Sequence, residues 1–197
     1  ARFCSRLGSE LSSFVTGVAA VSGIRFPRPN NATRPVPIIA FHGTADPMNP
    51  FNGHGNPVYW ESSVPDAMRG WAKFNGCRSH VEERTSFDVN TSRHLRCSGG
   101  ADVVLVKVAE GGHTWPGGAY NFQRKFGYST QSIDARELIY RFFKEHPVAL
   151  ACRTAVRGEP CYDAVARRYR DLVRHPWRNA THSDRSKFND IQAELHR

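Results

Sequence analysis

Two residues in this chain combine the type and the setting needed to move protons. Asp46 lies in His42-Gly-Thr-Ala-Asp46-Pro-Met-Asn-Pro50, just after the short apolar run Val36 to Phe41. His113 lies in Glu110-Gly-Gly-His113-Thr-Trp-Pro-Gly-Gly118, just after the β-branched run Val103 to Val108. An imidazole is the usual general base toward an oxygen nucleophile, because it titrates near neutral pH. A carboxylate behind it selects the tautomer and stabilises the imidazolium. Gly111 and Gly112 are expected to let the backbone turn sharply and bring His113 over the sheet edge. An acid after one strand and a base after a later one is how an open α/β sheet assembles a site at its strand ends. The order matches the last two thirds of a Ser–Asp–His triad.

Other readings of the same residues stand beside this one. Asp-Pro opens many turns, so Asp46 could simply cap one. His113 could be a loop histidine stacked on Trp115. His42 is a weaker rival for the base, because at a strand end it faces the loop backbone. His54, His80 and His94 lie in polar stretches and are expected to be exposed. Zinc held by His42, Asp46 and His113 is conceivable on ligand type, but the spacing gives no signal for it. A triad also needs Gly-x-Ser-x-Gly at a strand-to-helix elbow, and the chain has none. Ser98-Gly99-Gly100 precedes a strand, and Ser22-Gly23 leads into a proline-rich loop.

The elements that must position Asp46 and His113 follow from periodicity. Residues 1 to 14 read as an amphipathic helix without a cap, its stripe formed by Phe3, Leu7, Leu11 and Phe14, as though the chain had been cut from something longer. Val15 to Ser22 and Val36 to Phe41 read as core strands. Ser63 to Asn75 reads as a helix capped by Ser62 or Ser63, with Ala67, Met68, Trp71 and Phe74 buried. The polar segment 80 to 100 holds two candidate edge strands, Glu82 to Phe87 and Thr91 to Cys97. Val103 to Val108 is the next core strand. Ser132 to Glu145 is a helix with Asp134 in its first turn and Ile133, Leu138, Ile139, Phe142 and Phe143 buried. This order predicts an α/β fold, a mostly parallel sheet covered by helices on both faces.

Composition narrows the function classes. The net charge of +9 comes from 27 Lys and Arg against 18 Asp and Glu, with acidic residues interspersed nearly everywhere. No zinc-finger spacing, RNA-binding aromatic signature or basic zipper region is present, so a solvated arginine-rich face is preferred to a specific nucleic-acid surface. No apolar run approaches the roughly 20 residues of a membrane span. Five cysteines occur without a CxxC pair, and the spacings Cys77–Cys97 and Cys152–Cys161 suit disulfides, leaving Cys4 over. Asn31, Asn90 and Asn179 head glycosylation acceptor triplets in polar stretches. Together these features suggest a secreted, oxidising setting. Residues 148–197 form a basic appendage with a candidate amphipathic helix from 160 to 174, too small for a core of its own.

The motifs around Asp46 and His113 closely resemble the secreted esterase family of poly(3-hydroxybutyrate) depolymerases, feruloyl esterases and acetyl xylan esterases. Residues 1 to 23 are similar to that family's helix after the nucleophile and the following strand, and Trp71 to Cys77 and the Asp134 helix match as well. The resemblance covers about residues 1–147. It implies the C-terminal half of an α/β-hydrolase sandwich, with a small helical tail beyond. Asp46 would be the triad acid and His113 the base of a serine carboxylic ester hydrolase. The nucleophile and oxyanion donors would lie in a missing N-terminal half of the domain, upstream of Ala1, so that this chain alone would be inactive. Trp115, Tyr120 and Phe122, with Phe126, could wall a phenolic or polymeric ester substrate, or merely brace the loop. No cofactor or metal is implied. Two alternatives remain: an inactive binding or structural protein of hydrolase ancestry, and a basic polyanion binder.

Overall fold

The computed structural model describes residues 2–54, 60, 62–118 and 123–147. The chain divides into two units, Ala1–Val148 and Ala149–Arg197, and the description concerns the first. Cys152, Cys161, Asn179, Tyr120, Phe122 and the appendage as a whole lie outside the described residues.

Five strands form one mixed sheet in the order β1-β2-β5-β4-β3. Strands β1 (Val18–Val21), β2 (Ile38–Gly43) and β5 (Val103–Val108) run parallel, and β4 (Val89–Leu95) and β3 (Ser79–Arg84) add antiparallel. β2 and β5 are the strands with uninterrupted apolar runs, and they lie at the centre, buried on both faces. Alternate residues feed two cores. Ile38, Ala40, Val103 and Leu105 face α2 (Val64–Phe74), while Ile39, Phe41, Val104 and Val106 face Phe142 and Ala135 of α4 (Ala135–Glu145), which follows the single-turn α3 (Gln123–Phe126). With helices on both faces, the topology resembles part of an α/β-hydrolase sandwich.

Helix α2 starts where expected. The Ser63 hydroxyl accepts from the Asp66 amide, and a proline stands in the first turn. At its C-cap, Asn75 is fully buried and makes three hydrogen bonds: its amide nitrogen donates to the carbonyls of Val36 and Ala101 at 2.7 Å each, and its oxygen accepts from the Val36 amide at 3.0 Å. A Cys77–Cys97 disulfide closes the β3–β4 excursion onto the end of α2. Cys4 is a free thiol.

Several expectations are corrected. Helix α1 (Arg2–Glu10) buries Ser5, Gly8 and Ser9, whereas Phe3 is 68% exposed and Leu7, Leu11 and Phe14 are half-buried. The reason is closeness: a Cβ on Gly8 would lie 3.0 Å from Val18 Cγ2 and 3.4 Å from the Trp71 ring, so only small residues fit there. The serines also have partners, because Ser5, Ser9 and Ser12 accept from the backbone amides of Arg25, Asn31 and Thr33 at 2.9 Å and so pin the proline-rich loop. Strands β3 and β4 begin two to three residues earlier than the polar pattern suggested, and β4 is an inner strand. Asn90, His80 and His94 therefore lie on strands rather than in loops. Asp134 is the N-cap of α4, accepting from the Arg136 amide, rather than a first-turn residue.

Candidate active site

Adjacent parallel strands end at the same edge of a sheet, and β2 and β5 pair in register from Ile38–Val103 to Gly43–Val108. The two loops that leave them therefore start side by side. They then come closer than side chains would allow. A Cβ on Gly43 would lie 2.1 Å from the Gly111 carbonyl oxygen, and one on Gly112 would lie 1.8 Å from the Phe126 oxygen. Close approach is thus the reason for these glycines; the sharp turn that Gly111 and Gly112 were expected to make falls on Glu110, which takes the left-handed φ of 52°. Backbone bonds lock the arrangement: the Ala45 amide donates to Gly111 and the Thr44 amide to Val108, both at 2.9 Å.

Asp46 and His113 meet in this space. His113 Nδ1 donates to Asp46 Oδ2 at 2.9 Å, with Oδ1 at 3.2 Å. The Asp46 side chain is fully buried, and that of His113 is 29% exposed. Asp46 Oδ1 also accepts the amides of Met48 and Asn49 at 2.8 Å, so it caps its own turn while holding the imidazole. Those two readings of Asp46 prove compatible. Burial works against its charge, but the His113 bond and the two amides outweigh it, and its pKa is lowered. The carboxylate is therefore charged at neutral pH, which fixes the proton of His113 on Nδ1 and leaves Nε2 as the free basic nitrogen.

His113 is held from the other side too. Its amide donates to the Phe126 carbonyl at 2.6 Å, and the Gly112 amide donates to that of Tyr128 at 2.8 Å. Its ring neighbour is Phe126, at 6.3 Å and tilted; no ring pair with Trp115 occurs among the described residues. Tyr128 is anchored by its hydroxyl to Asp88 Oδ2 at 2.8 Å. Burial would raise the Asp88 pKa, yet bonds from Thr130, Ser86, Tyr128 and Ser132 bring it down to about 2. Trp115 is 46% exposed, two residues from the base.

Sequence reasoning ranked His42 low as the base, and the structure gives it another setting. It is 1% exposed, stacks on Trp60 with ring centroids 5.9 Å apart, and donates from Nε2 to the Asn49 carbonyl at 2.8 Å. The same Nε2 lies 3.4 Å from Asp46 Oδ2. Its buried Nδ1 has no partner among the described residues. Burial lowers its pKa, so it stands as a neutral imidazole bracing the loop that presents Asp46. The spacing His-Gly-x-x-Asp was the visible signal; its burial was not. Asn49 was also missed. Its amide holds Asp46 and its side chain donates to the Ser22 carbonyl at 2.7 Å, tying the loop to the end of β1.

No serine hydroxyl reaches His113 Nε2 among the described residues. Ser22, at the end of β1 with φ 53°, is 5% exposed and donates to the Thr114 carbonyl. Nor do the described residues contain a cluster of three or more His, Cys, Asp or Glu placed to hold a metal ion.

No model of a known protein family matches the chain. Among curated proteins it is 30% identical over 139 residues to one named "Putative esterase NocK" from Nocardia uniformis subsp. tsuyamanensis, a match covering 60% of this chain and 40% of that protein. It is 31% identical over 101 residues to feruloyl esterase B of Piromyces equi, covering 47% of this chain and 18% of that enzyme. The chain thus spans less than half the length of either relative, and its kinship is with esterases at the level of the α/β-hydrolase fold.

Proposed function

We propose that this chain carries the acid and the base of a serine carboxylic ester hydrolase, Asp46 and His113, for a nucleophile supplied by sequence upstream of it. The observation that carries the reading is the 2.9 Å bond from His113 Nδ1 to a buried carboxylate, with Nε2 unpartnered among the described residues, at the ends of adjacent parallel strands. In the reaction, Nε2 takes the proton of a seryl hydroxyl as it attacks the ester carbonyl, then passes it to the leaving alkoxide. Water activated by the same nitrogen hydrolyses the acyl-enzyme, and Asp46 stabilises the imidazolium each time it forms.

Two features support a missing partner segment. β1 pairs only with β2 among the described residues, and the outward stripe of α1 beside it keeps Phe3 exposed. A buried central edge is what the upstream part of a parallel sheet would provide. Among esters, a phenolic or polymeric one fits the exposed Trp115 two residues along the chain from the base, in keeping with the feruloyl esterase relative. The Cys77–Cys97 disulfide and the exposed acceptor Asn31 fit a secreted protein.

A fluorophosphonate probe tests the reading. The 197-residue chain should resist labelling, and the polypeptide that includes its upstream sequence should be labelled on a Gly-x-Ser-x-Gly serine, with His113→Ala suppressing the reaction. A longer polypeptide that never reacts would favour the second reading, an inactive protein of hydrolase ancestry, whereas labelling that survives His113→Ala would refute the role given to His113.

A further inference from the structure

The strongest feature outside the Asp46–His113 site is a cleft of about 280 Å³ on the α2 side of the sheet, toward the β3 edge. Its floor is apolar, from Phe51, Met68 and Leu105, and its walls are polar, from β3, β4 and Lys107 of β5. Four of its lining residues are basic or histidine and one is acidic, Glu82.

Lys107 is the residue that needs an explanation. It is half-buried in the cleft and has no ion pair or hydrogen bond among the described residues. With no partner among the described residues, its ammonium is available to an incoming anion. Directly across the ladder stands Asn90, also half-buried in the cleft and also without a side-chain bond among the described residues. Among the described residues, the cleft thus offers an unpaired cation beside an unpaired carboxamide. Beyond them, His80 and His94 stack with centroids 4.5 Å apart, and His80 Nε2 is bound to Ser92 Oγ at 2.8 Å. Burial, then the neighbouring His80 and Arg69, lowers the His94 pKa, against the opposing pull of Glu82.

The charge count selects the anion. Arg69 is already engaged by Asp66, which leaves Lys107 as the uncommitted full charge among the cleft's described residues. One point-like ammonium matches a monoanion, whereas a phosphate dianion calls for more cations or an arginine fork. At about 280 Å³ the cleft falls just below the usual size of small-molecule sites, about 300–1,000 Å³, so it suits a single ring. We propose that this cleft binds a small hydroxylated monocarboxylate of the sugar-acid class, its carboxylate on Lys107, its hydroxyls on Asn90 and the β4 wall, and its apolar face over Phe51. This site requires neither Asp46 nor His113 and stands independently of the esterase reading.

The test is a titration of the 197-residue chain with D-glucuronate, followed by calorimetry and amide NMR shifts. Glucose serves as the neutral counterpart, acetate as the carboxylate alone, and inorganic phosphate as the competing anion. Glucuronate should bind saturably with an affinity of millimolar order and shift the amides of β4 and β5 around Asn90 and Lys107. Glucose should bind at least about tenfold more weakly, and Lys107→Met should lose about tenfold or more, the usual worth of a charged hydrogen bond. Lys107→Arg should retain most of the affinity, and His113→Ala should change nothing. The proposal is overturned if glucuronate and glucose bind alike, if phosphate binds more tightly than glucuronate, if Lys107→Met binds as wild type does, or if the shifts map elsewhere. Unchanged melting of the Lys107 variants separates lost binding from lost fold.

Discussion

Replacing Gly43 by alanine attacks the close approach on which the Asp46–His113 pair depends. The added Cβ would lie 2.1 Å from the Gly111 oxygen, 2.2 Å from its carbonyl carbon and 2.6 Å from the Gly112 oxygen. Real Cβ contacts essentially never fall below 3.0 Å, so β2 and the His113 loop must separate by 0.9 Å or more. All three obstacles are backbone atoms, so no side-chain rotation relieves them. The Ala45–Gly111 bond, now 2.9 Å, then stretches past hydrogen-bond range. Overpacking costs about 1–3 kcal/mol and the lost bond about 1 kcal/mol, about 2–4 kcal/mol together. At about 2–4 °C per kcal/mol for a domain of this size, the melting midpoint should fall by about 4–16 °C. The His113 Nδ1 proton, followed by NMR, should lose its carboxylate-bound resonance. Gly99→Ala is the comparison: its Cβ meets nothing within 4 Å, so only the penalty for φ +64° applies, about 1 kcal/mol. A Gly43→Ala protein that melts like Gly99→Ala and keeps the Nδ1 resonance would refute the reasoning.

Further consequences are open to measurement. Asp88 is held at about 2, below the unfolded value of 3.8, so its contribution is complete above about pH 4 and is lost as pH falls toward 2. With solvent screening this is worth about 1–2 kcal/mol, and denaturant unfolding between pH 5 and 2 should show a shallower acid limb for Asp88→Asn than for wild type. The depressed pKa of His42 acts in the same sense: stability present above its unfolded value of 6.5 declines as pH falls through its lower folded value. His42→Gln should flatten that part of the profile. Asn75→Ala strips three bonds and leaves the Val36 amide and two carbonyls buried without partners, costing about 2–4 kcal/mol by urea denaturation. Opening the 20-residue Cys77–Cys97 loop with reductant should cost about 3 kcal/mol by the chain-entropy relation, read as a lower melting midpoint.

How legible all this was in the amino-acid order depended on what each signal encodes. β2 and β5 were readable because uninterrupted apolar runs mean burial on both faces, and Asp46 and His113 followed from their place after those runs. The cap at Ser63 was readable because capping is local chemistry. Helix α1 was legible as a helix with an apolar stripe, but not which of its faces meets the sheet. Its periodic stripe of Phe3, Leu7, Leu11 and Phe14 shows that one face is apolar, not that this face meets the described core. The sheet takes the opposite face because Gly8 and the serines permit closer contact and bind the following loop. The β3–β4 ladder was blurred because β3 is exposed along most of its length, so polarity carried no alternation. The roles of Gly43 and Gly112 depend on neighbours 68 and 14 residues away, which local sequence does not specify. His42 likewise looks like any loop histidine until Trp60 is seen stacked on it.

The most direct test of the central claim is the rate of ester hydrolysis by the polypeptide that includes the upstream sequence, compared across wild type, His113→Ala and Asp46→Asn. If these residues are base and acid to a seryl nucleophile, His113→Ala should lower kcat by about 10³-fold or more, and Asp46→Asn should follow through loss of the correct tautomer. KM should change little in both. Variants that retain activity within about tenfold of wild type would contradict the account.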